Sequence, residues 1–104
     1  MRTADVARLE AFYAGVLGLR VRRRDEARGS VWLDAGGAVL MIERAAPGEP
    51  TVDAGTKELL AFAIEASERE AWRARVAVED ETPHTLYFRD PDGRRIAVSS
   101  HPLP

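Results

Sequence analysis

A chain of 104 residues, 45% hydrophobic and 31% charged, has the make-up of one globular domain and is too short for two independent ones. Fifteen Lys and Arg against seventeen Asp and Glu leave a net charge of −2, so no bulk attraction draws it to nucleic acid or an acidic membrane. The lack of cysteine excludes a disulfide framework, a thiolate zinc site and a cysteine nucleophile. Met1 to Asp5 lack an apolar signal core, and no apolar run approaches the roughly 18 residues of a membrane span. The expected location is the cytoplasm.

Asp5, followed by Val6, Leu9, Phe12, Tyr13 and Val16, predicts a capped amphipathic helix that Gly18 stops. Leu19 to Arg24, Ser30 to Asp34 and Ala38 to Glu43 read as strands, joined by turns at Asp25 to Gly29 and Ala35 to Gly37. A polar connection with Pro47 and Pro50, residues 46–56, separates two halves, 1–45 and 57–104. Leu59 to Ile64 opens the second half as a strand. A helix follows, with Ser67 as cap and Glu70 closing a capping box. Val76 to Val78 looks extended, Glu79 to Pro83 looks like a loop, and Thr85 to Arg89 and Arg94 to Ser99 flank an Asp90-Pro91-Asp92-Gly93 turn of type I chemistry.

The halves repeat each other. A constant shift of 56 (90 minus 34) lays Asp34 on Asp90 and Gly37 on Gly93, with Leu40 on Ile96 and Ile42 on Val98. Order, turn chemistry and apolar parity agree, which predicts one structural unit used twice.

The run Asp5 to Val21, with Phe12-Tyr13 and Val16-Leu17-Gly18-Leu19, resembles the opening of the vicinal oxygen chelate superfamily, and Tyr87 to Gly93 resembles its closing hairpin. That superfamily includes glyoxalase I, bleomycin-resistance proteins, fosfomycin-resistance enzymes and extradiol dioxygenases. The resemblance implies an α+β fold of two βαβββ units, their mixed sheet curved around a cleft. Only four residues precede Asp5, so the first strand is expected to be reduced or absent. An edge left unpaired in this way favours a homodimer.

Strand alternation predicts that Trp32, Leu40, Ile42, Phe62, Ile64, Leu86, Phe88, Ile96 and Val98 pack on the helices. The opposite face then carries the expected ligand residues Val31, Leu33, Met41, Leu59, Thr85, Tyr87, Arg89, Arg95 and Ala97. That wall suits a small organic molecule, anionic or aromatic, because the arginines offer a fork to carboxylate or phosphate.

In metal-dependent members that the chain resembles, a divalent ion is held by His, Gln or Glu from the first and last strands of each unit. Those positions fall here on Met41, Leu59 and Ala97, which cannot serve an oxygen-preferring ion. No metal, cofactor or catalytic residue is therefore expected. A displaced site from Glu43, Ser99 and His101 offers too few strong ligands, and His84 has no carboxylate placed to orient it. Arg20 and Arg22 to Arg24 lack interleaved aromatics and fit an exposed strand better than a nucleic-acid surface. The expectation is a small-molecule binding protein of the bleomycin-resistance type. The alternatives are a metal-dependent lyase, isomerase, dioxygenase or thiol transferase of the same superfamily, and a scaffold dimer with no ligand.

Overall fold

A computed structural model describes residues 1–102, and each half of the chain forms a βαβββ unit. The first unit, Met1–Thr51, contains β1 (Arg2–Thr3), α1 (Val6–Glu10), β2 (Arg20–Asp25), β3 (Ser30–Ala35) and β4 (Ala38–Arg44). Its sheet has the order β1-β4-β3-β2, with β1 parallel to β4 and the other pairs antiparallel. Asp5 caps α1 as its sequence position demands, its Oδ1 accepting from the Arg8 amide at 3.0 Å. The helix continues as a wider π-helical turn over Ala11–Val16, in which the Leu17 amide donates to the Phe12 carbonyl at 2.9 Å. Gly18 ends it with φ 77°, a conformation suited to glycine. Leu9, Tyr13 and Leu17 are buried, as are Val31, Leu33 and Ile42 of the sheet.

The first strand is reduced but present. Glu43 and Ala45 donate their amides to the carbonyls of Met1 and Thr3 at 2.7 and 2.8 Å, extending the ladder of β4. The Arg2 guanidinium forks onto Glu49 at 2.9 and 2.7 Å, which fastens this two-residue strand to the turn beyond β4.

The second unit starts at Val52 and contains β5 (Leu59–Ala63), a 3₁₀ turn (Ala66–Glu68) leading into α2 (Arg69–Arg73), β6 (Asp80–Glu81), β7 (Thr85–Arg89) and β8 (Arg95–Ser99). The order is β5-β8-β7-β6, with β5 parallel to β8. Leu86, Phe88, Ile96 and Val98 are its buried sheet residues. Two sequence expectations are corrected here. The helical segment is capped by Glu65, not Ser67: Glu65 is still extended (φ −77°, ψ 147°), and its amide donates to Glu68 Oε1 at 2.8 Å to complete a capping box. Helical structure thus begins almost directly after β5. The extended partner of β7 is Asp80–Glu81, not Val76–Val78, because the Thr82 amide bonds the Thr85 carbonyl at 2.9 Å. That tight turn around Pro83 and His84 fixes which residues can pair.

The Asp90-Pro91-Asp92-Gly93 sequence is explained by its own hydrogen bonds. Asp90 is 4% exposed; its Oδ1 accepts the amides of Asp92 and Arg94 at 2.9 and 3.0 Å, and its Oδ2 meets the Arg94 guanidinium at 3.2 Å. A buried carboxylate is tolerated there because its oxygens are satisfied. Among the described residues, no helix is long and apolar enough to cross a membrane.

Candidate functional site

Register decides which side chains share a face. In the second sheet Leu86 lies opposite Val98 and Phe88 opposite Ile96, and all four are buried. Thr85, Tyr87 and Arg89 therefore alternate to the opposite face with Arg95, Ala97 and Ser99, joined by Leu59, Ala61 and Ala63 of β5 through its pairing with β8. The second-unit residues expected to form a binding wall, Leu59, Thr85, Tyr87, Arg89, Arg95 and Ala97, do share one face.

In the first sheet Val31 lies opposite Ile42 and Leu33 opposite Leu40, whereas Trp32 lies opposite Met41. Val31 and Leu33 are only 4% and 0% exposed. Arg24, opposite Val31, reaches Glu10 of α1 at 2.8 Å, which identifies this as the helix-covered face. The expectation that Val31 and Leu33 join Met41 on a ligand wall is therefore corrected. They are core residues, and Trp32, expected in the core, shares the outer face with Met41. The Arg23 guanidinium lies over the Trp32 ring at 5.2 Å on that face. Sequence reasoning missed Trp32 because it carried the strand parity of one hairpin onto the other. The two-residue Gly36-Gly37 loop was the signal that could have found it.

The polar groups of the second sheet's outer face are partly committed to one another. Thr85 Oγ1 and Ser99 Oγ share a hydrogen bond of 2.8 Å. Arg95 stacks on Tyr87, 4.2 Å from the ring centroid. Arg89 is a brace: its Nε donates to both oxygens of Glu79 at 3.0 and 3.1 Å, and its Nη1 donates to the carbonyls of Thr56 and Gly93 at 2.8 and 3.2 Å. It holds the segment ahead of β5 against the β7–β8 turn. Ala97 is fully buried between Ala61 and Tyr87, while Leu59 is 45% exposed.

The positions that the resemblance implies for a divalent ion's ligands carry Met41 in the first unit and Leu59 and Ala97 in the second, whose side chains supply no oxygen or imidazole donor. Those residues do not fit such an ion. Glu43 pairs with Arg2 at 3.7 Å. His101 lies edge-on to His84, 5.2 Å between ring centroids, with its Nδ1 3.0 Å from the Pro102 carbonyl oxygen. No group of three or more His, Asp or Glu able to hold a metal occurs among the described residues. The shifted carboxylates lie in structural clamps. Glu49 is lowered to about 2 by Arg2 and then by the Ala46 amide, and Glu81 of β6 is lowered chiefly by its bond to Arg73 of α2.

Two βαβββ units, each with its opening strand parallel to its last, and a closing Asp-Pro-Asp-Gly hairpin are the arrangement that the resemblance to the vicinal oxygen chelate superfamily implies. The family model for the glyoxalase-like domain matches residues 1–99, and the chain belongs to that family. Solved structures share the fold at low identity. An integron cassette protein from the mobile metagenome of a Halifax Harbour sewage outfall is 19% identical, with TM-score 0.78, covering 96% of this chain and 92% of that one. A lactoylglutathione lyase from Agrobacterium tumefaciens is 22% identical, with TM-score 0.72 and coverage of 95% and 87%. A fosfomycin resistance protein from Listeria monocytogenes, solved with Mn(II) and dihydroxypropylphosphonic acid, is 17% identical, with TM-score 0.79 and coverage of 99% and 86%. No curated protein sequence matches the chain.

Proposed function

We propose that the protein is a cytoplasmic homodimer that binds a small organic molecule, anionic or aromatic, without a catalytic metal. The observation that carries this reading is the outer face of the second sheet. There an arginine stacked on Tyr87 stands on the same face as the exposed Ala61, Ala63 and Leu59, so a cation and an apolar surface are presented together. A guanidinium held by an aromatic ring is preorganised for a carboxylate or phosphate. The Thr85 and Ser99 hydroxyls add a polar rim. Met41 and Trp32 offer a thioether and an indole on the outer face of the first sheet. The donor-free side chains at Met41, Leu59 and Ala97 support binding in preference to metal-assisted chemistry. Val39, 48% exposed, and the edge position of β5 support pairing with a second copy.

Thermal shift against a panel of small aromatic and aliphatic acids tests the reading. A ligand at one hundred times its Kd stabilises the native state by about 2.7 kcal/mol, and Tyr87→Ala should remove that shift. A parallel screen with Mn(II), Ni(II) and Zn(II), followed by metal analysis, separates the alternatives: stoichiometric metal with no acid-induced shift would overturn the binding reading. Light scattering of the purified chain checks the dimer.

A further inference from the structure

The N-terminal ends of β5 and β8 lie side by side, Leu59 opposite Arg95 and Leu60 opposite Ile96. Together with the segment ahead of β5 they enclose a depression of about 460 Å³, within the size range of small-ligand sites. Its lining is mixed, with Leu59 and Leu60 exposing apolar surface beside Asp53, Thr56, Glu58, Arg94 and Arg95. Its charged residues are unequally engaged. Arg94 is bound to Asp90 and Asp92 at 3.2 and 3.1 Å, and Asp53 Oδ1 accepts the Gly55 amide at 2.9 Å. Arg95 has only the Tyr87 ring beneath it, and the Glu58 carboxylate has no partner among the described residues. These two opposite charges line one depression without pairing. The register accounts for this: Arg95 shares its face with Leu59, and Glu58, one residue earlier, alternates to the other side of the sheet's end.

We propose that this depression is a subsite for a zwitterionic ligand that spans the end of the sheet, its carboxylate or phosphate on Arg95, its ammonium on Glu58 and its carbon chain over the exposed Leu59 and Leu60. The subsite rests on the proposed binding role of the second sheet's outer face, since Arg95 belongs to both. Its wall is held in place by Arg89, which bonds the Thr56 carbonyl at 2.8 Å, and by the Thr56 amide, which bonds the Asp53 carbonyl at 2.9 Å. A ligand bearing one charge leaves the other side chain facing solvent and gains only half of the complementarity.

Amide chemical shifts of the isotope-labelled full chain, titrated with ω-aminohexanoate, hexanoate and hexylamine, provide the test. The aminohexanoate should move the amides of Thr56, Leu60 and Ile96 and bind about tenfold more tightly than either singly charged probe, about 1.4 kcal/mol. Arg95→Gln should erase its advantage over hexylamine, and Glu58→Gln its advantage over hexanoate. Arg95→Lys, which keeps the charge, should retain part of the preference. Equal binding of all three probes, or a preference unmoved by both glutamine substitutions, overturns the subsite. Shifts confined to Ala61 and Ala97 also overturn it while leaving the outer face as a ligand surface. If no acid in the thermal-shift panel binds either, the broader reading fails as well.

Discussion

The hairpins β3–β4 and β7–β8 are the repeated heart of the two units, and they differ by the parity of their loops. Ala35 faces Ala38 across the two residues Gly36 and Gly37, whereas Arg89 faces Arg95 across the five residues Asp90 to Arg94. An even loop pairs residues of opposite parity and an odd loop pairs residues of like parity. Because side chains alternate with period two, a slip of one residue moves a whole strand's side chains to the other face. In structural terms Val31 therefore corresponds to Leu86 and Leu33 to Phe88, one residue out of step with the correspondence that aligns the strands beyond the turn. A duplicated unit can keep its core while changing which residues its outer face displays.

Leu33→Ala and Leu86→Ala probe that comparison most strongly. Both leucines are fully buried, so each truncation should cost about 2–5 kcal/mol in chemical denaturation. A loss under about 1 kcal/mol at Leu33 alone would return it to the outer face and break the parity argument.

The loop glycines sharpen the comparison at smaller amplitude. Gly37 has φ 86° and open space where a Cβ would stand, whereas Gly93 has φ 91° and would place a Cβ 2.8 Å from the Ala54 Cβ. Gly37→Ala should cost about 1–2 kcal/mol, from backbone conformation alone. Gly93→Ala adds steric conflict of about 1–3 kcal/mol, so its midpoint should fall further. Equal losses would mean that the segment carrying Ala54 yields freely.

The opening strands give the smallest effect. β5 has five residues on its neighbour, while β1 has two and leans on the Arg2–Glu49 fork. The folded Glu49 carboxyl is lowered from 4.5 to about 2, so its contribution is complete above pH 4.5 and fades as pH falls towards 2. Hydrogen exchange at the Glu43 and Ala45 amides should accelerate, relative to exchange at the amides of the β7–β8 ladder, across that interval. Glu49→Gln should speed those two amides at neutral pH and flatten the acid dependence; an unchanged profile would remove the fork's role in holding β1.

Much of this organisation was legible in the chain. Asp5 as cap, Gly18 as stop, the Asp90 turn and the outer-face residues Leu59, Thr85, Tyr87, Arg95 and Ala97 follow from local chemistry and period-two alternation. The Glu65 cap was obscured because Ser67 and Glu70 have the same spacing and better cap chemistry, and only the end of β5 decides between them. Arg89 looked like a ligand contact because its face was right. Its carbonyl partners, Thr56 and Gly93, carry no signal in the sequence and became partners only when the connection folded back.

By itself the sequence determined the internal repeat, the family resemblance that implied βαβββ units and the donor-poor residues at Met41, Leu59 and Ala97, because these depend on residue type and short-range spacing. Tertiary structure decided which face Val31, Leu33 and Trp32 occupy, which arginines are braces and which one stands over Tyr87. Those outcomes depend on strand register and on contacts between distant segments, where one residue of loop length reverses the result.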